Sequence, residues 1–559
     1  MSLFEDALPK LNDAQISRLE AVGTRVTTEV GEVLFAEGQD EYDMHVVLSG
    51  TVGVYDDVLG QRELLIDQVG PGLFLGEMGL LRGEATYATA EVLSAGEVLE
   101  VPRAAVVAIV ASDPELSEIF LRAFAARRQL NADSGSGLTI IGRRGDPDAL
   151  RLAGFAQRNY LPSTWLDPAD RGAARVLERS GRTAAQAMQT TVVAWGTDVV
   201  LDAPSNRELA NTVGVGVGPV VDGIVDLVVV GAGPAGLAAA VYGASEGLGT
   251  YVVDSLGVGG QAGTSSRIEN YLGFPAGLSG TELASRAVVQ AERLGASFVV
   301  PYRVQSLTTS EEKGRTTHVL HLDSGDELHA RAVIIATGAD YRRLPVENLD
   351  AYEGAGVYYA ATAVEARLCG GETVIVIGGG NSAGQAAIFL TGHAHKVLLC
   401  LRGDDLRKGM SDYLARRIDN HEQIEVRTNT EVTALAGVPV LDHVTLTHDG
   451  EDTTLACKAV FSFIGAKPNT TWLHGVAMDD RGFLLTGPDV PKPARPEEAG
   501  HDRAPIDAPN LQPARLPFET SLPGVFAVGD IRAGSTKRVA GAVGEGSVCV
   551  SEVHRYLQN

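Results

Sequence analysis

The chain is predicted to be multidomain: a jelly-roll-like β-barrel, a small α/β module, then two Rossmann-type α/β domains. Three observations carry this. Two glycine-rich loops, in DLVVVGAGPAGLAAA and TVIVIGGGNSAGQAA, each follow a short Val/Ile strand and open an apolar helix. That context turns a weak glycine motif into a dinucleotide fold. The first hundred or so residues alternate short apolar runs with glycine turns, the pattern of a barrel. Between the two regions, strand-like and helix-like runs alternate in βαβ order.

At 559 residues the chain has room for several domains. The pattern changes place the first two at 1–133 and 137–221. No apolar stretch approaches the ~20 residues of a membrane span. The amino terminus MSLFEDALPKLND lacks a basic region followed by an apolar core. A cytoplasmic protein without membrane contact is expected. A net charge of −25 argues against nucleic-acid partners, which need clustered Lys and Arg. The four cysteines, Cys369, Cys400, Cys457 and Cys549, form no CxxC or metal-ligand spacing, so no metal is expected and each reads as an isolated buried thiol.

The barrel strands lie in VGEVLFAEGQ, DMHVVLSGTVGVYDD, RELLIDQVGPGLFLGEM and ATAEVLSAGEVLEVP, closed by the helix PELSEIFLRAFAARRQL. GLFLGEMGLLRGEATYATAEV resembles the phosphate-binding cassette of cyclic-nucleotide-binding domains. The resemblance implies that Gly76 and Glu77 open the cassette, with Glu77 on a ribose hydroxyl and helix amides on the cyclic phosphate. The family's phosphate-pairing arginine aligns with Thr86; Tyr87 follows and Thr89 keeps its place. Losing that contact costs on the order of ~2 kcal/mol, more than tenfold in affinity. Arg82 is a nearby substitute. Two readings stay open: a site for a cyclic-nucleotide-like effector, or a degenerate barrel used for docking.

The middle segment reads LTIIG, a helix from DPDALRLAGFAQRN, STWLD, a further helix, TTVVAW, and LDAPSNRELANTVGV. It resembles a thioredoxin or glutaredoxin fold without its chemistry. RRGDPDA, from Arg143, stands where CxxC follows the first strand, and Thr190 and Thr191 stand where a proline precedes TTVVAW.

From about Val225 the chain resembles the thioredoxin-reductase-like pyridine nucleotide-disulfide oxidoreductases. The motifs are the two loops, GVGGQAG, RIENYLGFP, AVIIATGA, FSFIGAKPNT, GVFAVGDIRAG and KRVAGAVGEGS, in family order. The resemblance implies FAD on Gly231, Gly233, Ala235 and Gly236, with Asp254 on the adenosine ribose. It adds Gly260, Gln261, Asn270, Thr337 and Gly338 around the flavin, Gly529 and Asp530 at its ribityl chain, and Arg538, Val539 and Ala540. These last three open a helix whose amino terminus faces the flavin N1–O2 edge. A homodimer is implied as well, as are domain limits of 222–345, 346–460 and 461–559, with 222–345 and 461–559 as two parts of one domain. A proline-rich run from Gly487 reads as an exposed loop inside this domain.

The second loop implies a nicotinamide nucleotide on Gly378, Gly380, Asn381, Ser382, Ala383 and Gly465. The strand KVLLCL ends at Arg402 rather than at an acid, which favours the 2′-phosphate of NADPH over NADH. The family's HRRDxFR pattern reads LRGDDLR here, keeping Arg402 and Arg407 and placing Gly403 at one arginine.

One motif departs outright. GVYYAATAV aligns on the family's redox segment with Ala360 and Ala363 at its two cysteines, while Thr362 still fits; Cys369 is single and displaced. Alanine cannot form the thiolate on which that relay depends. The expectation is an NAD(P)H-dependent flavin oxidoreductase that reduces something other than a disulfide: a quinone, oxygen, a small organic oxidant or a one-electron protein. The alternative is a flavin-based redox or nucleotide sensor, or an electron-transfer module, with little turnover. The catalytic residues are not assigned.

Overall fold

The computed structural model describes residues 3–558 apart from 40, 59–60, 77, 83–84, 135–136, 144, 160, 197, 216–222, 266, 313–314, 368, 370, 439 and 492–514. The barrel is built on two long antiparallel strands, Met44–Val58 and Thr89–Val101, flanked by Thr24–Thr28 and Gln61–Val69. Its core holds Phe74, Phe120 and Phe124, with Phe74 edge-on to both other rings. Phe120 and Phe124 come from the closing helix Pro114–Ser134, whose apolar residues recur one turn apart and so share one face.

The middle module is a four-stranded sheet in the order Val199–Asp202, Val192–Trp195, Leu138–Ile141, Ser163–Leu166. The last two run parallel and the other neighbours antiparallel. Helix Pro147–Arg158 makes the parallel crossover. Pro147 fits its first turn, and the Asp146 side chain caps it by accepting from Asp148 N–H at 2.9 Å.

The carboxy-terminal half carries two parallel sheets. The first contains Ser297–Val299, Thr250–Val253, Ile224–Val230, Glu327–Ile335 and Val525–Ala527, extended by an antiparallel hairpin. The second runs Val357–Tyr358, Ala459–Ser462, Thr373–Ile377, Lys396–Cys400, Ile424–Arg427. Helices and loops cover both faces, so the central strands are continuous Val/Ile runs rather than alternating ones. The antiparallel strands Ala339–Tyr341 and Ala466–Pro468 carry the chain from one sheet to the other and back.

Two expectations shift. The second domain runs on through Ser462, because Ala459–Ser462 pairs inside its sheet, rather than ending at 460. The proline-rich run begins only partly as an exposed loop: Gly487 and Val490 are buried around a short 3-10 turn, Pro488, Asp489 and Pro491 are exposed, and residues 492–514 lie outside those described. Among the described residues, no helix is long and apolar enough to cross a membrane.

Candidate functional site: two nucleotide cradles and a covered face

The first cradle forms where strand Ile224–Val230 turns into helix Pro234–Ser245. The turn is tight: a Cβ on Gly236 would lie 1.8 Å from Gly231 O. No side chain caps the helix, so its first amides stay free for an anion. Ala235, buried, seats the second supporting helix, Val539–Gln558; a Cβ on Gly546 would meet Ala235 O at 2.1 Å. Asp254 follows the next strand. Its carboxylate accepts from Ala232 N–H at 2.8 Å and from Leu256 and Gly257 N–H at 2.9 and 3.1 Å. It fixes the loop's shape, and its remaining lone pairs are available to a hydroxyl.

Gly260 packs against Gly233, and Gln261 donates to Asp340 at 3.3 Å. Thr337 and Asn469 clasp the crossover: Thr337 Oγ1 donates to Asn469 O, and Asn469 Nδ2 to Thr337 O, both at 3.1 Å. Gly338 accepts from Asn469 N–H. Asn270 is exposed, one residue beyond Glu269, which pairs with Arg417 of the second domain at 2.8 Å.

Asp530 sits in the 3-10 turn Gly529–Ile531, next to the start of helix Val539–Gln558. Burial pushes its carboxyl up, with Glu545 adding repulsion and Lys537 opposing both. Among the described residues nothing hydrogen-bonds its carboxyl oxygens. A half-buried carboxyl without a partner at the mouth of a glycine cradle fits a ligand hydroxyl. Two residues that sequence reasoning missed hold this turn. Glu545 accepts from Gly529 N–H at 2.7 Å and pairs with Arg532 at 2.6 Å, their side chains only 14% and 19% exposed. Arg538 and Ala540 are exposed and Val539 is half-buried at the helix start.

The second cradle repeats the design. Gly378 ends strand Thr373–Ile377, Gly380 precedes the uncapped helix Asn381–Leu390, and Ala383 is buried beneath the turn. Asn381 Oδ1 accepts from Ser411 N–H and Oγ–H at 2.7 and 3.0 Å, tying the helix start to the next loop. Gly465 lies against the Arg342 side chain at the return crossover.

The two predicted phosphate bases differ. Arg402 is 77% exposed, with only a loose contact, to Glu431 at 3.8 Å, among the described residues. Arg407 is hydrogen-bonded to Asp419, which raises its pKa, with Asp405 and Asp412 nearby. Lys408 is likewise spent on Asp404 at 2.6 Å.

All four cysteines are free and buried. Burial pushes the thiols of Cys369 and Cys400 up to about 12 and that of Cys457 up to about 11, and raises Cys549 well above its ordinary value. At neutral pH the thiolate fraction of the first three is about 10⁻⁴ or less. Ala360 precedes the short helix Ala363–Arg367, which Thr362 and Glu365 tie off by hydrogen bonds from Thr362 N–H and Oγ–H to Glu365.

This helix is covered by the middle module. Val364 packs on the cluster of Leu152, Phe155 and Trp195, and Leu150 packs on the second domain's core. A Cβ on Gly145 would meet Val440 Cγ1 at 3.3 Å, and one on Gly354 would meet Leu150 Cδ2 at 3.2 Å. The module's covered end is filled by a buried hydrogen bond, Thr191 Oγ1 to Asp146 Oδ2 at 3.1 Å. The module also touches the first domain, where Asn159 Nδ2 donates to Leu256 O at 2.9 Å and Arg207 pairs with Asp323.

In the barrel, Gly76 lies at the cassette's start, Glu77 lies outside the described residues, and Arg82 falls in the short helix Met78–Arg82. Thr89 Oγ1 accepts from Glu37 N–H at 3.0 Å. Thr86 is buried, its backbone paired with Gly38 and Gln39. Ala85 and Tyr87 belong to the same apolar cluster as Leu138, Ile140 and Trp195 of the module. A buried arginine not foreseen, Arg127, donates to the carbonyls of Ala7, Phe74 and Gly76.

Residues 225–490 match the family model of pyridine nucleotide-disulphide oxidoreductases, and residues 25–113 that of the cyclic nucleotide-binding domain. The thioredoxin reductase of Treponema pallidum (strain Nichols) is 31% identical over 335 residues, covering 59% of this chain and 97% of the relative. That of Mycolicibacterium smegmatis is 33% identical over 341 residues, covering 59% and 96%. The crystal structure of T. acidophilum thioredoxin reductase superposes with a TM-score of 0.51 at 27% identity, covering 60% of this chain and 99% of that one. Glycine cradles, crossover strands and relatives agree: the chain belongs to the thioredoxin-reductase-like pyridine nucleotide-disulphide oxidoreductases and carries a cyclic nucleotide-binding domain ahead of that region.

Proposed function

We propose that the chain is an FAD-dependent NAD(P)H oxidoreductase that delivers electrons to an acceptor other than a disulfide. The observation that carries this is the state of the thiols: all four are buried and strongly disfavoured as thiolates, and alanines stand at 360 and 363. When bound, FAD supplies the hydride-accepting and electron-releasing chemistry. The chain's own residues do the rest. The amides at the start of helix Pro234–Ser245 would hold the FAD pyrophosphate. Asp254 and Asp530 offer acceptors to sugar and ribityl hydroxyls. The amino-terminal end of the helix beginning at Val539 would offer its positive dipole end to negative charge on the bound cofactor. The Arg532–Glu545 pair keeps Asp530 in place.

The middle module reads as a thioredoxin-like domain whose chemistry has been replaced by the Asp146–Thr191 bond. Its core packs on Val364 of helix Ala363–Arg367, the helix that begins at the second of the two alanines standing for cysteines. Its shared core with Ala85 and Tyr87 also makes a packed route from the barrel's cassette to the second nucleotide domain, the basis for control by a nucleotide-like effector.

Anaerobic mixing with NADPH and NADH, followed by flavin absorbance, tests the reading. Rapid bleaching that survives N-ethylmaleimide treatment, then many turnovers with a quinone and none with thioredoxin, is the expected result. No bleaching by either nucleotide, or turnover abolished by thiol blocking, overturns it. Arg402→Ala is expected to raise the KM for NADPH about tenfold and leave that for NADH unchanged, the loss of one charge-assisted phosphate contact. Arg407→Ala should do less, because that guanidinium is already committed to Asp419. Steady-state kinetics with both nucleotides reads the difference.

A further inference from the structure

The two cradles stand on separate sheets, and the chain passes between them through the crossover strands Ala339–Tyr341 and Ala466–Pro468, which pair over three positions. Two short strands of this kind make a hinge, because a few residues can absorb a change of angle. The Arg417–Glu269 pair bridges the same domains, but it faces solvent and is too exposed to hold an angle alone. A third connection is built differently. Helix Pro147–Arg158 of the middle module touches both domains, one at each end.

In its first turn, Leu150 packs on the second domain's core, and a Cβ on Gly354 would meet Leu150 Cδ2 at 3.2 Å and Pro147 Cα at 3.9 Å. Just past its last turn, buried Asn159 donates to Leu256 O at 2.9 Å, and a Cβ on Gly257 would lie 2.8 Å from Arg158 Cβ. Leu256 and Gly257 are the residues whose N–H groups donate to Asp254, so this end of the helix sits on the first cradle itself. Leu150 and Asn159 lie about 14 Å apart along the helix axis. The span between them is held straight by packing, since Leu152, Phe155 and Ala156 are buried in the module's core. Arg207, on helix Asn206–Val213, adds a second tie to the first domain: it pairs with Asp323 and lies over the Tyr302 ring at 5.0 Å.

We propose that helix Pro147–Arg158 is a strut that sets the angle between the two nucleotide domains, with Leu150 and Asn159 as its positioning residues. A rigid body seated on both sides of a hinge removes the hinge's freedom while both seats are made. The seats are then coupled, because the same body must leave both, and free energy lost at one loosens the other. Separate local contacts would show no such reciprocity. The proposal concerns the angle between the cradles and holds whatever passes between them.

Two measurements on the full chain test it. Hydrogen–deuterium exchange of residues 363–367, where Val364 of the second domain packs on the module, should be about fivefold faster in Asn159→Ala, whose lost hydrogen bond lies on the first domain. Arg207→Gln, outside the strut, should give the same remote effect at about threefold, which separates loosening of the module from fraying of the helix at Asn159. For the angle, nitroxides on Arg293→Cys and Glu422→Cys, exposed positions in the first and second domains, read the separation by double electron–electron resonance. The four native thiols are buried and leave the labels to the introduced pair. The otherwise unmodified chain should give one narrow distance, and Asn159→Ala and Leu150→Ala should each broaden it. Faster exchange confined to residues beside a substitution, a distance distribution that neither variant changes, or one already broad without them would each overturn the proposal. Neither measurement needs turnover, so failure of the oxidoreductase reading and failure of the strut are distinguishable.

Discussion

Gly236→Ala should yield a protein that retains little flavin and unfolds at lower denaturant concentration. The added Cβ would lie 1.8 Å from Gly231 O, about half a van der Waals contact, and the obstacle is backbone rather than a movable side chain. Either the turn opens or the helix Pro234–Ser245 retreats from it. Both remove the amides from the place where a pyrophosphate would sit, at a cost of about 3 kcal/mol or more. Gly233→Ala is the informative control. Its Cβ would meet nothing nearer than Gly260 Cα at 3.8 Å, so the protein should fold normally. A normal denaturation curve with lost flavin absorbance would assign Gly233 to ligand contact, and Gly236 to the architecture beneath it. A Gly236→Ala protein with full flavin content would refute this view of the cradle.

Glu545→Ala is expected to be nearly as damaging, by a different route. The substitution strands the Arg532 guanidinium in a largely buried setting and leaves Gly529 N–H without its acceptor. Removing one partner of such a pair costs about 3 kcal/mol, because the remaining charge has no water to replace it. The damage falls on the turn that carries Asp530, so flavin release on dilution should accelerate along with the loss of stability. Glu545→Gln keeps an acceptor for Gly529 N–H while removing the charge, and should recover part of the loss. Equal behaviour of the alanine and glutamine variants would mean that the ion pair, and not the turn, carries the effect.

These two residues illustrate what was legible in the sequence. The glycine loops and Asp254 are signalled by spacing within a few residues of a strand or helix, whereas Asp530 is signalled only by the family resemblance of GVFAVGDIRAG. Glu545 has no such signal. It lies one turn and a half into an apolar helix, and its role depends on a turn that the fold brings beside it. Arg127 is similar: in sequence it belongs to a basic pair on a surface-like helix, yet it is buried over the Phe74 ring and bonded to three carbonyls. Arg407 shows the same limit from another side. Its motif position suggests a phosphate base, and its bond to Asp419, twelve residues on, is not legible in the motif. The docking of the middle module was equally out of reach, since Leu150 and Val364 are ordinary apolar residues until two separate cores place them in contact.

The module's seat has a kinetic consequence. A segment tethered by its own chain confronts its docking face at an effective concentration that for short linkers is on the order of millimolar. A free protein of the same shape, present at micromolar levels, would compete at roughly a thousandfold disadvantage even with equal intrinsic affinity. Exclusion of an outside protein from that face then needs no repulsive charge and no steric wall, only occupancy. Admission of a second protein to that face becomes an internal equilibrium, set by how often the module leaves, rather than by how much of the visitor the cell contains.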